Sequence, residues 1–365
     1  MRTPGPSFAR RLAARLLVAP RLLVAWGLLV APGLLVVLGF FAGTISPVMA
    51  EVVLRGAGAT FPAPLYKKWI DVYTKQHPGV AINYADVGSG EGTVRFLERT
   101  VDFGASDAGL SDEQMASVRA GAKLIPATAG MVVLAYNLPG LGGPLRLSRD
   151  VYTDIFAGKI REWNDPRVRA VNPGLNLPRQ TITLVGRQDS SGTTFAFSSH
   201  LAAVSADWRD RVGKVVDWPG HAMMARGNEG VASRIKLSQG SIGYVEYGFA
   251  KRLGLPTAQL QNRAGRFVTP DAASGEAALA AAVGHMPTNL RAFLPDPDGE
   301  ASYPIVTFTW LLLYGQYTEL EKAAALKQFV DWALTDGQRY SGELGYIPLP
   351  SNVASLSRAA LASVR

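Results

Sequence analysis

The chain has no cysteine, and that absence removes several possibilities at once. Disulfides, thiolate metal sites, a cysteine nucleophile and a lipid-modified cysteine at a processed N-terminus are all excluded. The mature protein is therefore expected free in its compartment, without a lipid tether. Histidine is scarce as well: His77, His200, His221 and His285 show no metal-ligand spacing, and none neighbours a candidate serine. No G-x-S-x-G elbow surrounds Ser89 or Ser191. A phosphatase or serine hydrolase thus lacks its usual signals, and the expectation is a protein that is no enzyme and carries no cofactor or metal.

Acidic residues are missing from the first 50 positions, which hold Arg2, Arg10, Arg11, Arg15 and Arg21. The net charge of +8 is largely theirs: without those five the 37 basic residues fall to 32 against 29 acidic, or +3. The remaining charges are scattered through amphipathic segments, with no basic stripe carrying interleaved aromatics, so nucleic-acid binding is set aside.

The same 50 residues have an arginine-bearing start, an apolar stretch over 22–43, and Val48-Met49-Ala50 before Glu51. That is the layout of a secretory signal, and it predicts cleavage after Ala50 and a protein working outside the cytoplasm. The alternative is an uncleaved anchor, because the apolar stretch reaches the roughly 20 residues a membrane-spanning helix needs. Pro32 and the nearby glycines weaken such a helix without forbidding it.

Beyond Glu51, short apolar runs alternate with amphipathic stretches, which predicts an α/β fold. The pattern places strands over 52–56, 80–84, 131–137, 181–186 and 305–314, and helices over 64–76, 93–99 and 272–283. The 365 residues, 48% of them apolar, suffice for two domains once a leader is removed. The stretch 351–365 reads as a terminal helix or a fraying tail.

Four segments share one construction, in which a strand ends, a small or glycine-rich turn follows, a hydroxyl residue appears and a helix begins. They are Gly56-Ala57-Gly58-Ala59-Thr60-Phe61, Val87-Gly88-Ser89-Gly90-Glu91-Gly92, Asp102-Phe103-Gly104-Ala105-Ser106-Asp107 and Arg187-Gln188-Asp189-Ser190-Ser191-Gly192-Thr193-Thr194. Helix N-termini leave backbone N–H groups without partners and carry partial positive charge, so they hold anions. Glycine lets backbone approach a ligand, and Ser or Thr hydroxyls add donors. Each turn alone reads equally as helix capping. Four of them, converging, would form an oxyanion cage built mostly from neutral dipoles. Arg187 could add a bidentate pair of charge-assisted bonds, with Asp189 orienting its guanidinium, or could equally make a surface salt bridge.

Asp107 does not fit a plain anion cage, since a carboxylate repels an anion. It fits an anion that still carries a proton, which phosphate does at neutral pH and sulfate does not. Such an acceptor rejects sulfate by leaving a buried carboxylate unpaired. The capping alternative would make Asp107 the N-cap of a helix near 110–119, where Ser111 is better placed.

Gly56-Ala57-Gly58-Ala59-Thr60-Phe61-Pro62-Ala63-Pro64, Val101-Asp102-Phe103-Gly104-Ala105-Ser106-Asp107, Asp189-Ser190-Ser191-Gly192-Thr193-Thr194 and Ile242-Gly243-Tyr244-Val245-Glu246-Tyr247 closely resemble the periplasmic phosphate-binding subunits of ABC phosphate transporters, in the family's order and over about 53–349. The resemblance implies a type II periplasmic-binding-protein fold, with phosphate in the cleft between two α/β domains. Residues 51–127 with 247–350 would form the first domain and 128–246 the second, with crossings near 126–131 and 244–249 and a tail over 351–365. It further implies that Thr60, the Phe61 N–H, Ser89, Asp107, Arg187, Ser191, Gly192 and Thr193 hold inorganic phosphate, with Asp107 accepting its proton. The partners implied are membrane permease subunits, and the protein is expected as a monomer. The alternative within the binding class is another oxyanion or a phosphorylated metabolite. One departure stands out: the family commonly has two serines followed by glycines in the second turn, whereas this chain has Ser89-Gly90-Glu91-Gly92. Glu91 either faces solvent as a first-turn acid, which the helix dipole favours, or faces the cleft and lowers affinity.

Overall fold

A computed structural model describes residues 51–284 and 286–365. The leader, its cleavage point and His285 lie outside the described residues. In chain order the strands are β1 (Val52–Gly58), β2 (Val80–Asp86), β3 (Phe103–Ser106), β4 (Ala122–Tyr136), β5 (Arg146–Leu147), β6 (Thr183–Arg187), β7 (Met223–Ala225), β8 (Ser241–Glu246), β9 (Gln259–Gln261), β10 (Phe267–Val268) and β11 (Val306–Tyr314). Eight of them form one sheet in the order β2-β1-β3-β11-β4-β8-β6-β7, while β10-β9-β5 form a small second sheet. Helices intervene throughout, so the architecture is α/β as the alternation of patterns predicts.

The sheet has two halves that meet on a single strand. Residues 122–131 of β4 pair antiparallel with β11, and residues 132–136 pair antiparallel with β8. Outside this centre the neighbours are parallel, β2-β1-β3 on one side and β8-β6-β7 on the other. All nine residues of β11 and all six of β8 are buried, as is every residue of β4 from Leu124 onward. Strands covered on both faces read as continuous apolar runs, which is why 305–314 is recognisable from sequence.

β4 is much longer than the 131–137 strand expected. Pro126 cannot donate to a ladder, and a proline in a central strand is normally confined to a bulge. A bulge is found there: Thr309 pairs with Thr128 while the next residue, Trp310, pairs with Pro126, leaving Ala127 as the extra residue. The Ala127 carbonyl accepts instead from Gln338 Nε2 at 2.9 Å. The other differences are smaller. The helix expected over 93–99 begins four residues earlier, as Ser89–Leu97, and the 351–365 stretch forms the helix Ser351–Ala362. That last helix lies on β4 and on the helix Leu320–Leu334, burying Val353 and Leu361 and donating from Ser357 Oγ to the Pro126 carbonyl at 3.0 Å.

Candidate functional site

The four hydroxyl-bearing turns follow β1, β2, β3 and β6, strands drawn from both halves of the sheet. Parallel strands β1, β2 and β3 present their C-terminal ends at one edge, so Thr60, Ser89 and Asp107 emerge close together. From the other half, β6 ends at Arg187, and the helix Gly192–Val204 starts after the Ser191 N-cap, whose Oγ accepts from the Thr194 N–H at 3.0 Å. Ser191 is thus both the helix cap and a member of the cluster. The N–H groups of Gly192 and Thr193 lie in the first turn, where no intrahelical acceptor exists.

Contacts across the cluster link Thr60, Ser89, Asp107, Arg187, Gly192, Thr193 and Asp189, and Phe61 and Ser191 join them as the chain neighbours of Thr60 and Gly192. Ser89 Oγ accepts from the Asp107 N–H at 3.2 Å. Gly192 abuts both residues: a Cβ on it would lie 2.4 Å from Ser89 Oγ and 2.7 Å from Asp107 Cβ, so only glycine permits the approach. Arg187 Nη1 donates to Thr193 Oγ1 at 3.3 Å. Thr60 joins Thr193 through Asn228, whose Nδ2 donates to the two hydroxyl oxygens at 3.0 and 3.1 Å. Phe61 is fully buried, with its carbonyl accepting from Tyr346 Oη at 2.7 Å.

The charges are arranged as the residue types suggest. Arg187 is buried, and its Nε donates to Asp189 Oδ1 at 2.9 Å while Nη2 donates to Oδ2. The surface salt bridge weighed for Arg187 is therefore not what forms; the fork is locked inside. Burial works against the Asp189 carboxylate, but the Arg187 bonds and charge together with the Gly227 N–H hold it below the usual carboxylate range. Asp107 is different. Burial pushes its carboxyl up to about 7, against the opposing pull of the Thr309 hydroxyl, Arg187 and Ser89. Thr309 Oγ1 donates to Asp107 Oδ1 at 2.8 Å, leaving Oδ2 alongside Gly192. Asp107 does not cap the next helix; Ser111 does, in a reciprocal capping box with Gln114.

The departure in the second turn also has a structural reading. Glu91 is half exposed and paired to Arg95 Nε at 2.8 Å one helical turn on, at a pocket that Asp189, Ser190 and Arg226 also line, so it is the first-turn acid at the rim of the cluster with its charge already partnered. Gly90 donates from its N–H to the Ser190 carbonyl at 2.9 Å, and a Cβ there would fall 2.0 Å from Ser190 Oγ. Any side chain at 90 would collide with the turn from the other half of the sheet.

Two residues of the cluster, Thr309 and Asn228, carry no sequence motif. Thr309 lies in β11, 202 positions from the carboxylate it contacts, and Asn228 lies at the start of the helix Gly227–Leu237. Among the described residues no group of histidine, cysteine or carboxylate side chains could hold a metal ion. His200 is buried away from the cluster, between Tyr152 Oη and the Pro295 carbonyl, and burial lowers its pKa to about 4. A 290 Å³ pocket lined by Thr60, Asp189, Arg226 and Gly227 opens beside the cluster, while a larger one of 670 Å³ bounded by Arg149, Phe293 and Asp296 shares no residue with it.

Known proteins place this arrangement. The family model described as PBP superfamily domain matches residues 46–337. The chain is 40% identical over 322 residues to the phosphate-binding protein PstS of Pasteurella multocida, covering 87% of this chain and 92% of that one. It is 41% identical over 316 residues to PstS of Haemophilus influenzae, covering 86% and 93%. Its fold is that of a high-affinity periplasmic phosphate-binding protein solved with phosphate, with a TM-score of 0.69 at 22% identity, covering 85% of this chain and 93% of that one. A phosphate-binding protein from Stenotrophomonas maltophilia gives 0.65 at 20% identity, covering 85% and 94%. These neighbours make the fold the type II periplasmic-binding-protein class expected from the sequence. With a superfamily match over most of its length and relatives about 40% identical over more than four fifths of both chains, the chain belongs to the PstS family of phosphate-binding proteins.

Proposed function

We propose that the protein captures inorganic phosphate outside the cytoplasm and delivers it to the membrane permease subunits of an ABC-type importer. The observation that carries this reading is Asp107: one buried carboxylate among hydroxyl, N–H and guanidinium donors, with Thr309 on Oδ1 and Oδ2 left over. A cage of donors alone would suit any oxyanion, whereas one acceptor among them selects an anion that brings its own proton. Thr60, the Phe61 N–H, Ser89, Arg187, Ser191, Gly192 and Thr193 supply the donors in this reading, and Asp189 holds the Arg187 fork. Family membership favours the transport role over catalysis, and the burial of His200 away from Ser89 and Ser191 agrees with it.

The same reading divides the chain into residues 51–127 with 247–350, and 128–246, joined by two strands. The change of pairing partner on β4 between Met131 and Val132, and the end of β8 at Glu246, support that division. Export follows from the leader, with cleavage near Ala50, and the protein is taken as a monomer. Calorimetry of phosphate binding with sulfate as competitor tests the function. Tight phosphate binding that sulfate does not displace is expected; equal binding of the two would overturn the role of Asp107, and turnover of a chromogenic phosphate ester would overturn the non-enzymatic reading.

A further inference from the structure

Asn228 is fully buried, and its orientation is fixed by its neighbours. The Glu246 N–H can only donate, and it reaches Asn228 Oδ1 at 3.0 Å, so the oxygen faces β8 and the amide nitrogen faces the cluster. Both Nδ2 hydrogens are then used, one on Thr60 Oγ1 at 3.0 Å and one on Thr193 Oγ1 at 3.1 Å. Thr60 Oγ1 also accepts from the Asn228 N–H at 3.2 Å, and Thr193 Oγ1 from Arg187 Nη1 at 3.3 Å. A hydroxyl oxygen has two lone pairs, and in both threonines each now faces a donor that cannot reverse. The one remaining direction at each oxygen belongs to its own hydrogen.

We propose that Asn228 is a positioning residue for the bound anion, which turns the Thr60 and Thr193 hydroxyls, from opposite halves of the sheet, into obligate donors. This rests on phosphate occupying the cluster as proposed above. A freely rotating hydroxyl can donate or accept and so tolerates either an oxygen or an OH group on the ligand. Two hydroxyls locked as donors demand bare oxygens, which leaves Asp107 as the place for the phosphate proton. Asn228 thereby sets the rotational register of the ligand without touching it, and it ties that register to the end of β8, where the Glu246 N–H holds the amide in place.

The test is a double-mutant cycle on the full chain, with phosphate affinity measured by calorimetry and by competition up to millimolar phosphate. One arm is N228A; the other is the pair T60V and T193V, which removes the hydroxyls while keeping their shape. In the native background N228A should weaken phosphate binding at least tenfold, because both threonine hydroxyls lose the donor that fixes their direction. In the valine background it should weaken binding less than twofold, because the groups through which Asn228 acts are gone. A loss of the same factor in both backgrounds would overturn the inference, since a merely structural asparagine would be additive. Should N228A not fold, as judged by its ligand-free melting curve, N228L keeps most of the side-chain volume without adding a charge and completes the same cycle. If the native protein bound no phosphate, the functional reading itself would fall; native binding with an additive cycle sinks only the role of Asn228.

Discussion

Replacing Asp107 by asparagine should convert a selective site into a permissive one. Thr309 donates to Oδ1 of Asp107 at 2.8 Å, and the same hydroxyl would hold the amide oxygen of the substituted side chain, turning its NH₂ toward the ligand. Phosphate would exchange a charge-assisted bond from its own OH to a carboxylate for a donor facing a donor, a loss of about 1.5–3 kcal/mol. Sulfate would no longer face a buried carboxylate without a partner, a relief of about 1–3 kcal/mol. Together these compress the phosphate-over-sulfate preference by roughly 10²- to 10⁴-fold, at about 1.4 kcal/mol per factor of ten. Calorimetry of each anion against native and D107N protein at pH 8, above the value of about 7 to which burial pushes the Asp107 carboxyl, reads the ratio directly. A ratio unchanged within threefold would refute the reasoning, whatever happened to either affinity alone.

Three further outcomes follow. R187A removes the buried cation of the cluster and should raise the phosphate dissociation constant at least 10²-fold by the same calorimetry, whereas D189A, which frees the guanidinium without deleting it, should cost less. E91Q should change phosphate affinity less than twofold, because Glu91 is half exposed and its charge is already paired with Arg95 at the rim of the cluster; a change beyond fivefold would show that this charge reaches the anion. Ligand-free protein should melt at higher temperature as pH falls from about 8 to 5. Burial raises the Asp107 carboxyl to about 7 and the Glu246 carboxyl to about 8, so in that window the native state binds protons that the unfolded chain does not, and stability is lost as pH rises through those values. D107N and E246Q should each flatten the melting profile.

The sequence carried the turns of the site better than the surfaces between them. Thr60, Ser89, Asp107 and Ser191 each sit where a strand hands over to a helix, a boundary with its own local vocabulary of glycine and hydroxyl residues. Thr309 has no such vocabulary: it is one threonine in an apolar strand, and its partnership with Asp107 exists only because β11 pairs with β3. Asn228 reads as an ordinary helix-start residue, and its contacts with Thr60 and Thr193 span 168 and 35 positions. The length of β4 was hidden for a different reason, because Pro126 and Gly130 look like strand breakers and only the bulge makes room for the first. Charge alone set Glu91 against an anion site; the arginine one helical turn on, which only the helix brings beside it, answers that charge.

The extra residue at Ala127 works like a one-letter insertion in a text read two letters at a time. Side chains of β4 before it and after it alternate out of step along the chain, yet both stretches stay matched to one unbroken partner, Pro126 with Trp310 and Thr128 with Thr309. Deleting Ala127 would leave the β11 pairs on either side contiguous, but it would remove the bulge that accommodates Pro126 and the carbonyl that accepts from Gln338 Nε2. A single small, buried alanine therefore lets a proline stand inside a central strand and turns one carbonyl out of the ladder toward Gln338.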